Sequence, residues 1–467
     1  MKVYNTLSGK KENFVPINGN KVNMYACGIT VSGEAHIGHT YQALIYDIIR
    51  KFLIKEGYDV RYARNYTDVD DKIIAKSKET GIPADAYAKM MIKKIDAVMK
   101  EMDIDDPDIW IKATENIQNI IDFVQGLIEK GHAYATKNGD VYFSVISFPE
   151  YGKLSHRNLE DALNGVRIEN DEEKQSPLDF ALWKSAKEGE IHWTSPWGEG
   201  RPGWHIECSA MNKAAFGDCI DIHGGGRDLI FPHHENEIAQ SECCSGVPFA
   251  HYWMHNGYIN VDNKKMSKSL NNFFTVRDVA EKYGYEAIRF FLISSSYRSP
   301  INYNAEIIEQ SKAALDRLYT CRDNLQFALS QAADGASPAD AALLAALDQR
   351  KAKFIAAMDD DLNTADAIAA LFELVRDINV AVAADEKPGK AALAAAAELF
   401  GELTDVLGLL YERKNEDLDS EIEALIEART AARKAKNWAE ADRIRDELKA
   451  RNIVLEDTPQ GVKWHRG

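Results

Sequence analysis

Two short motifs hold imidazole, ammonium and hydroxyl groups that can bind the phosphates of a nucleotide. The first is His36-Ile37-Gly38-His39, and the second, far later in the chain, is Lys265-Met266-Ser267-Lys268-Ser269. Attack by a carboxylate on the α-phosphate of ATP builds negative charge on the phosphorus centre and on the departing pyrophosphate, and fixed donors must meet that charge. The two motifs, in this order, predict that the chain activates a carboxylate with ATP.

The histidine motif supplies hydrogen-bond donors and a stretch of main chain that a nucleotide can approach closely. The imidazoles of His36 and His39 can donate N–H groups to phosphate oxygens. Gly38 has no Cβ, so the base of the nucleotide can approach the main chain there. Two histidines at this spacing are also typical of a packed or surface pair, and only the second motif favours a nucleotide site. We expect all three residues to bind ATP and both histidines to act in catalysis.

The lysine motif predicts a mobile cationic loop. The ammonium groups of Lys265 and Lys268 and the hydroxyl of Ser267 can close over the leaving pyrophosphate. A segment of this composition is usually a solvated turn, but its place after the histidine motif favours a catalytic loop. We expect both lysines to act in catalysis and, with Ser267, to bind ATP. Together the two motifs resemble those of the class I aminoacyl-tRNA synthetases.

The histidine motif falls inside a predicted βαβ unit. Residues 22–31 form an apolar run typical of a buried strand, residues 40–57 have a helical period, and residues 58–65 form a second strand. In an open parallel sheet, ligands bind beside the carboxyl ends of the strands, which is where this motif lies. No Gly-x-Gly-x-x-Gly motif follows the first strand, so a dinucleotide-binding domain is disfavoured.

A second α/β block begins near Trp204. It contains a helix from about residue 206, a strand at 218–223, the glycines 224–226 and a helix from about residue 232. An insertion with polar loops separates the two blocks, and alanine-rich helical segments follow the second one.

The resemblance implies an α/β fold in several parts. A class I Rossmann-like nucleotide-binding domain with an insertion is followed by an α-helical bundle and a small C-terminal anticodon-binding domain. A charged linker is expected at residues 412–419. The expected parts are the first catalytic half at 1–112, the connective insertion at 113–200, the second catalytic half at 201–260, the lysine-loop and stem-contact region at 261–310, the bundle at 311–411 and the anticodon-binding region at 412–467.

Composition narrows the class of protein. The chain has 467 residues, of which 45% are hydrophobic, enough for several domains with apolar cores. Its first residues lack the apolar run of a signal peptide, and no apolar run reaches the roughly 18 residues of a membrane span. We therefore expect a cytoplasmic protein without a membrane segment. The net charge of −17 argues against indiscriminate nucleic-acid binding, because it repels phosphate backbones.

Several cysteines, a histidine and a glutamate suggest a metal site. His233 and Glu237 share one helix face, a spacing that suits two ligands of one zinc ion. The six cysteines are scattered irregularly, which predicts free thiols or metal ligands rather than disulfides. Cys27 and Cys208 are the best placed to complete the site, since each falls at the active-site edge of its half of the fold. From spacing alone, the remaining alternatives are Cys219, Cys243 and Cys244.

Three segments resemble the cysteine-specific members of class I, the cysteinyl-tRNA synthetases. They are Cys27, residues 203–211 (GWHIECSAM) and residues 223–237 (HGGGRDLIFPHHENE), and the likeness runs nearly end to end. The resemblance implies one Zn²⁺ per chain, Mg²⁺ with ATP, and a monomer. The zinc ligands that it implies are Cys27, Cys208, His233 and Glu237.

Zinc explains how such an enzyme can choose cysteine over serine without an editing domain. Zinc holds a thiolate at ~2.3 Å and lowers the pKa of the thiol, whereas a hydroxyl is a poorer ligand and harder to deprotonate. The resemblance assigns Asp228 to ATP, and it assigns contacts with L-cysteine to Cys27, Thr67, Trp204 and His223. For Trp204, the alternative is a packed aromatic side chain of the core. The lysine motif continues Leu270-Asn271-Asn272, where the family commonly has Leu-Gly-Asn.

The C-terminal end predicts contacts with tRNA. Between Arg429 and Arg451 there are eight Arg or Lys residues and four Asp or Glu residues, a cationic segment in an acidic chain. Trp438 and Asp442 share a helix face, an arrangement that alone is typical of a packed aromatic beside a surface charge. The segment also resembles the family's anticodon-binding region, where an aromatic ring can stack on an unstacked base. The candidate contacts are Arg433, Trp438, Asp442 and Asp457.

These patterns predict a cysteine–tRNA ligase whose partners are ATP, L-cysteine and tRNA(Cys). It forms cysteinyl adenylate and pyrophosphate, then transfers cysteine to the 3′-terminal adenosine. Three alternatives remain at this point: a ligase that joins cysteine to an amine on a small sugar, a noncatalytic tRNA-binding regulator, and a zinc hydrolase.

Overall fold

The protein is described here by a computed structural model. The structure describes residues 1–158, 173–265, 274–411, 416–450, 453–458 and 461–466. The chain divides into two compact units. The first comprises Met1–Tyr285, Ser295–Asn304 and Met358–Asn363, and the second comprises Glu286–Ser294, Ala305–Ala357 and Thr364–Gly467.

Most of the first unit is built from strands and the helices that connect them. Its strands are β1 Lys2–Asn5, β2 Lys10–Asn13, β3 Lys21–Thr30, β4 Asp59–Thr67, β5 Ile109–Lys112, β6 Ala133–Ala135, β7 Val141–Phe143, β8 Phe180–Ser185, β9 Trp193–Ser195, β10 Gly198–Pro202, β11 Ile220–Gly226, β12 Ala250–Asn256, β13 Ile259–Val261, β14 Lys264–Lys265 and β15 Ile301–Tyr303. Its helices are α1 Ile37–Lys55, α2 Asp71–Thr80, α3 Ala84–Glu101, α4 Ile117–Glu129, α5 Trp204–Phe216, α6 Glu235–Ser245 and α7 Val276–Tyr283.

A five-stranded parallel sheet forms the centre of this unit, in the order β12-β11-β3-β4-β5. The chain lays down β3, β4 and β5 outward in one direction, and β11 and β12 outward in the other. The sheet order therefore reverses between β3 and β11, and a crevice forms at the carboxyl ends of strands at such a point. The predicted α/β fold with two halves around an insertion is confirmed.

The insertion has its own antiparallel sheet, in the order β6-β7-β8-β10-β9. Its core includes Val124, Phe143 and Trp183, which pack with Ile206 and Ala210 of α5. The aromatic and β-branched side chains that make these strands thus also fix the helix that opens the second half of the catalytic unit.

Glycine permits two close approaches in the central sheet. The register of β3 against β4 shifts between Ala26 and Ile29, and a Cβ on Gly28 would overlap the carbonyl oxygen of Asn65. The glycines predicted to follow a strand at 218–223 lie instead within β11, which runs to Gly226. A Cβ on Gly224 would overlap the hydroxyl of Tyr46, so this strand continues through its glycines because α1 packs so closely against it.

The second unit is helical apart from one hairpin. It contains α8 Tyr285–Ile293, α9 Ala305–Gln331, α10 Asp340–Asp359, α11 Thr364–Ala383, α12 Lys390–Leu407, α13 Glu416–Lys434, α14 Trp438–Ala450, β16 Ile453–Thr458 and β17 Gly461–Arg466. The last two strands pair antiparallel. The second half of the linker predicted at 412–419 is helical, because α13 begins at Glu416, and residues 412–415 lie outside the described part of the chain. Within the described part of the chain, no helix combines the length and apolarity needed to cross a bilayer.

Candidate metal and nucleotide site

Four side chains distant in sequence converge in the crevice between β3 and β11. Cys27 lies near the carboxyl end of β3, Cys208 lies on α5, His233 lies in the turn just before α6, and Glu237 lies in the first turn of α6. The sulfur of Cys27 is 3.6 Å from that of Cys208, 3.6 Å from His233 Nε2 and 3.3 Å from Glu237 Oε1. His233 Nε2 is 2.9 Å from the same carboxylate oxygen. All four side chains are buried.

The three separations from the sulfur of Cys27 suit one tetrahedral zinc ion, whereas the 2.9 Å between His233 and Glu237 is the distance of a direct hydrogen bond. Ligands at Zn–S ~2.3 Å and Zn–N or Zn–O ~2.0–2.1 Å lie about 3.3–3.8 Å from one another in a tetrahedron. Two thiols, an imidazole and a carboxylate are also the donor types that zinc prefers. Within the ranges that the structure describes, the metal-like clusters contain none of the competing cysteines Cys219, Cys243 and Cys244.

A second set of donors shares two members with the first. Cys27, His223, His234 and Glu237 also bring one ligand atom each within 4.8 Å of the others. His223 Nε2 lies 3.0 Å from Glu237 Oε2, and its ring stacks on Tyr25 with centroids 5.3 Å apart. Predicted to contact cysteine, His223 is fully buried in the structure and binds the carboxylate of Glu237.

The protonation of Glu237 and His233 follows from their pairing. Burial opposes the charge on Glu237, but His223 and His233 hold the pKa of its carboxyl well below the usual range. Burial also opposes the charge on His233, yet the Glu237 carboxylate raises the pKa of His233 to about 10. The carboxyl group of Glu237 is therefore ionised, and its negative charge favours a cation beside it in the cluster.

A neighbouring histidine, His205, fixes the orientation of His233. The two Nδ1 atoms lie 2.9 Å apart, so the Nδ1–H of His233 can donate to His205 and leave Nε2 as the ligand atom. Burial lowers the pKa of His205 well below its usual value, which keeps it a neutral acceptor. Sequence patterns assign no role to His205, although its place three residues before Cys208 puts it near the same helix face.

A chain of hydrogen bonds runs from Cys27 to the N-terminal segment. His234 Nε2 lies 3.3 Å from the sulfur of Cys27, His234 Nδ1 lies 2.7 Å from His255 Nε2, and His255 Nδ1 lies 2.8 Å from Thr6 Oγ1. Burial lowers the pKa of His255 to about 3 and that of His234 well below its usual value, so both rings are neutral. Each ring then has one N–H. If the hydroxyl of Thr6 donates to His255, then His255 donates to His234 and His234 donates to the sulfur of Cys27.

We expect Thr6→Val, which removes the hydroxyl but keeps the shape, to weaken zinc binding by about 10-fold. Groups that orient metal ligands typically change affinity by ~10–100-fold, and Thr6 acts through two rings. Competition with a chromophoric chelator measures the affinity. Thr6→Ser, which keeps the donor, is the matched control and should bind zinc like the parent protein; equal affinities for the Val and Ser variants would contradict the prediction.

A cavity of about 480 Å³ lies beside the cluster, between the insertion and the catalytic halves. Trp204 and Glu207 contribute to its wall. The ring of Trp204 stacks on His233 with centroids 4.3 Å apart and is 40% exposed, so it is not a core residue. Thr67, expected to contact cysteine, donates its hydroxyl to Glu207 Oε2 at 3.0 Å. Of the four residues expected to contact cysteine, Trp204 alone lines this cavity.

The histidine motif follows the carboxyl end of β3 and begins α1. The rings of His36 and His39 stack with centroids 3.5 Å apart. Desolvation and the neighbouring His36, Arg64 and Lys72 hold the pKa of His39 well below its usual value, so its ring is a neutral N–H donor. A Cβ on Gly38 would lie 3.1 Å from the ring of His36, so the glycine also makes room for that ring.

The C-terminal end of the lysine loop comes close to the histidine motif. Thr275 forms an isolated β-bridge with His36, and Val276 donates its N–H to Ala35 at 3.1 Å. Lys265 ends β14, but its side chain lies outside the described part, as do Ser267 and Lys268 entirely. Asp228, expected to bind ATP, lies exposed in the turn that follows β11.

The predicted tRNA contacts lie in the second unit. Trp438 begins α14 and is 59% exposed, which excludes the packed-aromatic alternative. Asp442 lies one turn later, and Arg445 Nη1 binds its carboxylate at 3.0 Å. Arg433 lies in the last turn of α13. Asp457 pairs with Val462 across the terminal hairpin, but its side chain is outside the described part.

Family models match nearly the whole chain. A model described as tRNA synthetases class I (C) catalytic domain matches residues 13–313, a DALR domain model matches 353–411, and a model of the cysteinyl-tRNA ligase anticodon binding domain matches 415–464. The cysteine–tRNA ligase of Anoxybacillus flavithermus is 50% identical over 467 residues, which is 100% of both chains. That of Geobacillus thermodenitrificans is 51% identical over 467 residues, 100% of this chain and 99% of the relative.

Solved structures share the fold. Mycobacterium tuberculosis methionyl-tRNA synthetase in complex with methionyl-adenylate aligns with a TM-score of 0.63 at 16% identity, over 83% of this chain and 90% of that one. A leucyl-tRNA synthetase ternary complex from Agrobacterium radiobacter aligns with a TM-score of 0.60 at 12% identity, over 85% of this chain and 86% of that one.

Proposed function

The chain belongs to the cysteinyl-tRNA synthetases of class I, and from that premise we propose that it charges tRNA(Cys) with L-cysteine in two steps. First, the carboxylate of cysteine attacks the α-phosphorus of ATP, which Mg²⁺ accompanies, and pyrophosphate leaves. Then the 2′-hydroxyl of the terminal adenosine attacks the carbonyl carbon of cysteinyl adenylate, and AMP leaves. The chain acts as a cytoplasmic monomer in this proposal.

The observation that carries the proposal is the buried cluster of Cys27, Cys208, His233 and Glu237 at the reversal of the sheet. These four residues would hold zinc, which when bound accepts the sulfur of cysteine as a ligand far better than the hydroxyl of serine. A preference of ~10⁴-fold requires only ~5.5 kcal/mol. The surrounding residues keep this set of donors fixed before cysteine arrives, because Cys27, His233 and Glu237 each have a hydrogen-bond partner outside the set.

In the activation step, the chain's residues position and stabilise charge. The imidazoles of His36 and His39 donate to the phosphate oxygens of ATP, Gly38 leaves the backbone open beside them, and Asp228 contacts the nucleoside. Lys265, Ser267 and Lys268 close over the departing pyrophosphate. Preorganised donors of this kind act mainly by meeting the charge of the transition state and by holding the reactants in line.

Around cysteine, we assign the side-chain contacts to Cys27, Thr67, Trp204 and His223. Trp204 is suited to wall the amino-acid pocket because its exposed face borders the cavity while its other face covers His233. Thr67 and His223 also bind the carboxylates of Glu207 and Glu237 respectively. They hold the walls of the pocket in position.

At the other end of the chain, we assign the anticodon to Arg433, Trp438, Asp442 and Asp457. The exposed ring of Trp438 can stack on an unstacked base, and cations nearby can meet phosphates. We expect Trp438→Ala to raise the KM for tRNA by the equivalent of ~1–3 kcal/mol. The conservative variant Trp438→Phe should keep most of the affinity. Cysteine-dependent pyrophosphate exchange should be unchanged in both, and its loss would mean that Trp438 is structural.

The deciding experiment is ATP-dependent attachment of labelled cysteine to total tRNA, with labelled serine in parallel. Charging with cysteine alone is the expected result. Adenylate formation without charging would indicate a small amine acceptor, although the anticodon-domain match at 415–464 argues against that. Binding of tRNA without adenylate would indicate a regulator. A zinc hydrolase is disfavoured because the carboxylate of Glu235, beside the ligands, is fully buried and accepts the N–H groups of Leu154 and Ser155.

A further inference from the structure

One backbone carbonyl, that of Tyr297, joins the two nucleotide motifs. It accepts the hydroxyl of Tyr41 at 2.9 Å and the N–H of Gly257 at 2.7 Å. Tyr41 lies on α1, the helix that the histidine motif begins. Gly257 lies just before β13, which pairs with the strand that ends in Lys265. This carbonyl oxygen therefore contacts both the helix that begins with the histidine motif and the segment that leads into the hairpin of Lys265.

The carboxylate of Asp361 binds the side chains of Tyr297 and its neighbour Arg298. Its Oδ1 accepts the hydroxyl of Tyr297 at 2.9 Å and the N–H of Tyr4 at 2.7 Å, and its Oδ2 accepts Arg298 Nε at 2.7 Å. Arg298 also lies over the ring of Tyr4, 4.2 Å from its centroid. Asp361 is only 4% exposed, so its charge is compensated by these three donors.

Asp361 lies in a short segment of the first unit whose neighbours on both sides along the chain belong to the second unit. The chain leaves the second unit after Ala357, contributes Met358–Asn363 to the first unit, and returns at Thr364. Asp361 and Leu362 both have left-handed backbone conformations, with φ of 68° and 53°. Such conformations are unfavourable for leucine and persist where surrounding contacts over-determine them. One such contact is the N–H of Asp361, which donates to the carbonyl of Lys2 at 2.9 Å.

We propose that Asp361 is a positioning residue for adenylate formation: through Tyr297 it sets the register between the histidine motif and the hairpin that begins the lysine loop. Because Gly257 and Tyr41 both bind the carbonyl of the residue that Asp361 fixes, loosening the turn changes the geometry of both motifs together. The inference rests on the proposed function, since it concerns its first step. The alternative is that Asp361 merely anchors the N-terminal strand.

The two alternatives differ in their kinetic effect. If Asp361 positions the motifs, Asp361→Asn and Tyr297→Phe should lower kcat/KM for ATP in pyrophosphate exchange by about 10–100-fold, since small misplacements of reacting groups have effects of that size. Zinc content and the Kd for cysteine should stay at the parent values, because neither residue contacts the metal cluster. Tyr297→Phe removes only a hydroxyl and keeps the carbonyl, so it tests the proposal even if Asp361→Asn folds poorly.

Two further variants complete the test. Asp360→Asn is the matched control, because this neighbouring carboxylate is 56% exposed and pairs with Lys11 at the surface; it should exchange pyrophosphate like the parent. Arg298→Lys should retain more exchange activity than Arg298→Gln. The double variant Tyr297→Phe/Asp361→Asn should lose less than the product of the two single losses, since both act through one hydrogen bond.

The proposal would be overturned if Tyr297→Phe exchanged pyrophosphate at the parent rate, or if the loss in each variant matched a loss of folded protein or of cysteine binding. A parent protein that showed no cysteine-dependent exchange at all would instead contradict the proposed function, so the two failures can be told apart.

Discussion

Cys208→Ala is expected to remove zinc from the protein and to lower kcat/KM for cysteine in pyrophosphate exchange by about 10³–10⁴-fold, on the scale of the binding energy of one metal–sulfur bond. The variant loses one of four ligands, and the remaining carboxylate and imidazole stay buried in the cluster. Zinc per chain, measured by elemental analysis, should fall from about one to near zero. The KM for ATP should change little, because the nucleotide motif lies outside the cluster.

Cys219→Ala is the matched control for this substitution. Cys219 is half-buried and belongs to neither of the donor clusters that the described residues form. It should keep both zinc and activity. Full zinc retention by Cys208→Ala would contradict the assignment and would indicate that the ion is held by the second set, Cys27, His223, His234 and Glu237.

His39→Ala is expected to lower kcat for pyrophosphate exchange by about 10²–10³-fold, the typical effect of removing one fixed donor to a developing anion. Because desolvation and nearby cations hold the pKa of His39 below its usual value, its ring stays neutral as the pH falls through 6.5. The parent rate should therefore show no loss between pH 8 and pH 6.5 that depends on His39.

A histidine outside the site provides the control for His39→Ala. His251 is exposed, and its alanine variant should exchange pyrophosphate like the parent. Zinc content and the Kd for cysteine should be unchanged in both variants. A His39→Ala protein that lost only affinity for ATP, with its kcat intact, would show that the imidazole binds the ground state and transition state equally.

The sequence predicted the fold well because its signals are local. The apolar run at 22–31 and the helical period at 40–57 correspond to β3 and α1, and they place the histidine motif at the strand-to-helix junction. The strand predicted at 218–223 instead runs on through its glycines to Gly226, and the close packing of Tyr46 requires a glycine at position 224.

The site was harder to predict from the sequence than the fold, because its contacts join residues that are far apart in the chain. Spacing could relate His233 to Glu237 but could not choose Cys208 over Cys243, and that choice came from resemblance. The hydrogen bonds from His255 to His234 and from Asp361 to Tyr297 join residues with no periodic relation, and they emerged only from the structure.

The central claim is that a metal–sulfur contact selects cysteine, and the most direct test is the absorption spectrum of the Co²⁺-substituted protein. Co²⁺ reports its ligands through sulfur-to-metal charge-transfer bands. Adding cysteine should strengthen these bands, because a third sulfur joins the thiolates of Cys27 and Cys208, while serine at the same concentration should leave them unchanged. A spectrum unaltered by cysteine, under conditions where cysteine is bound and activated, would contradict the account.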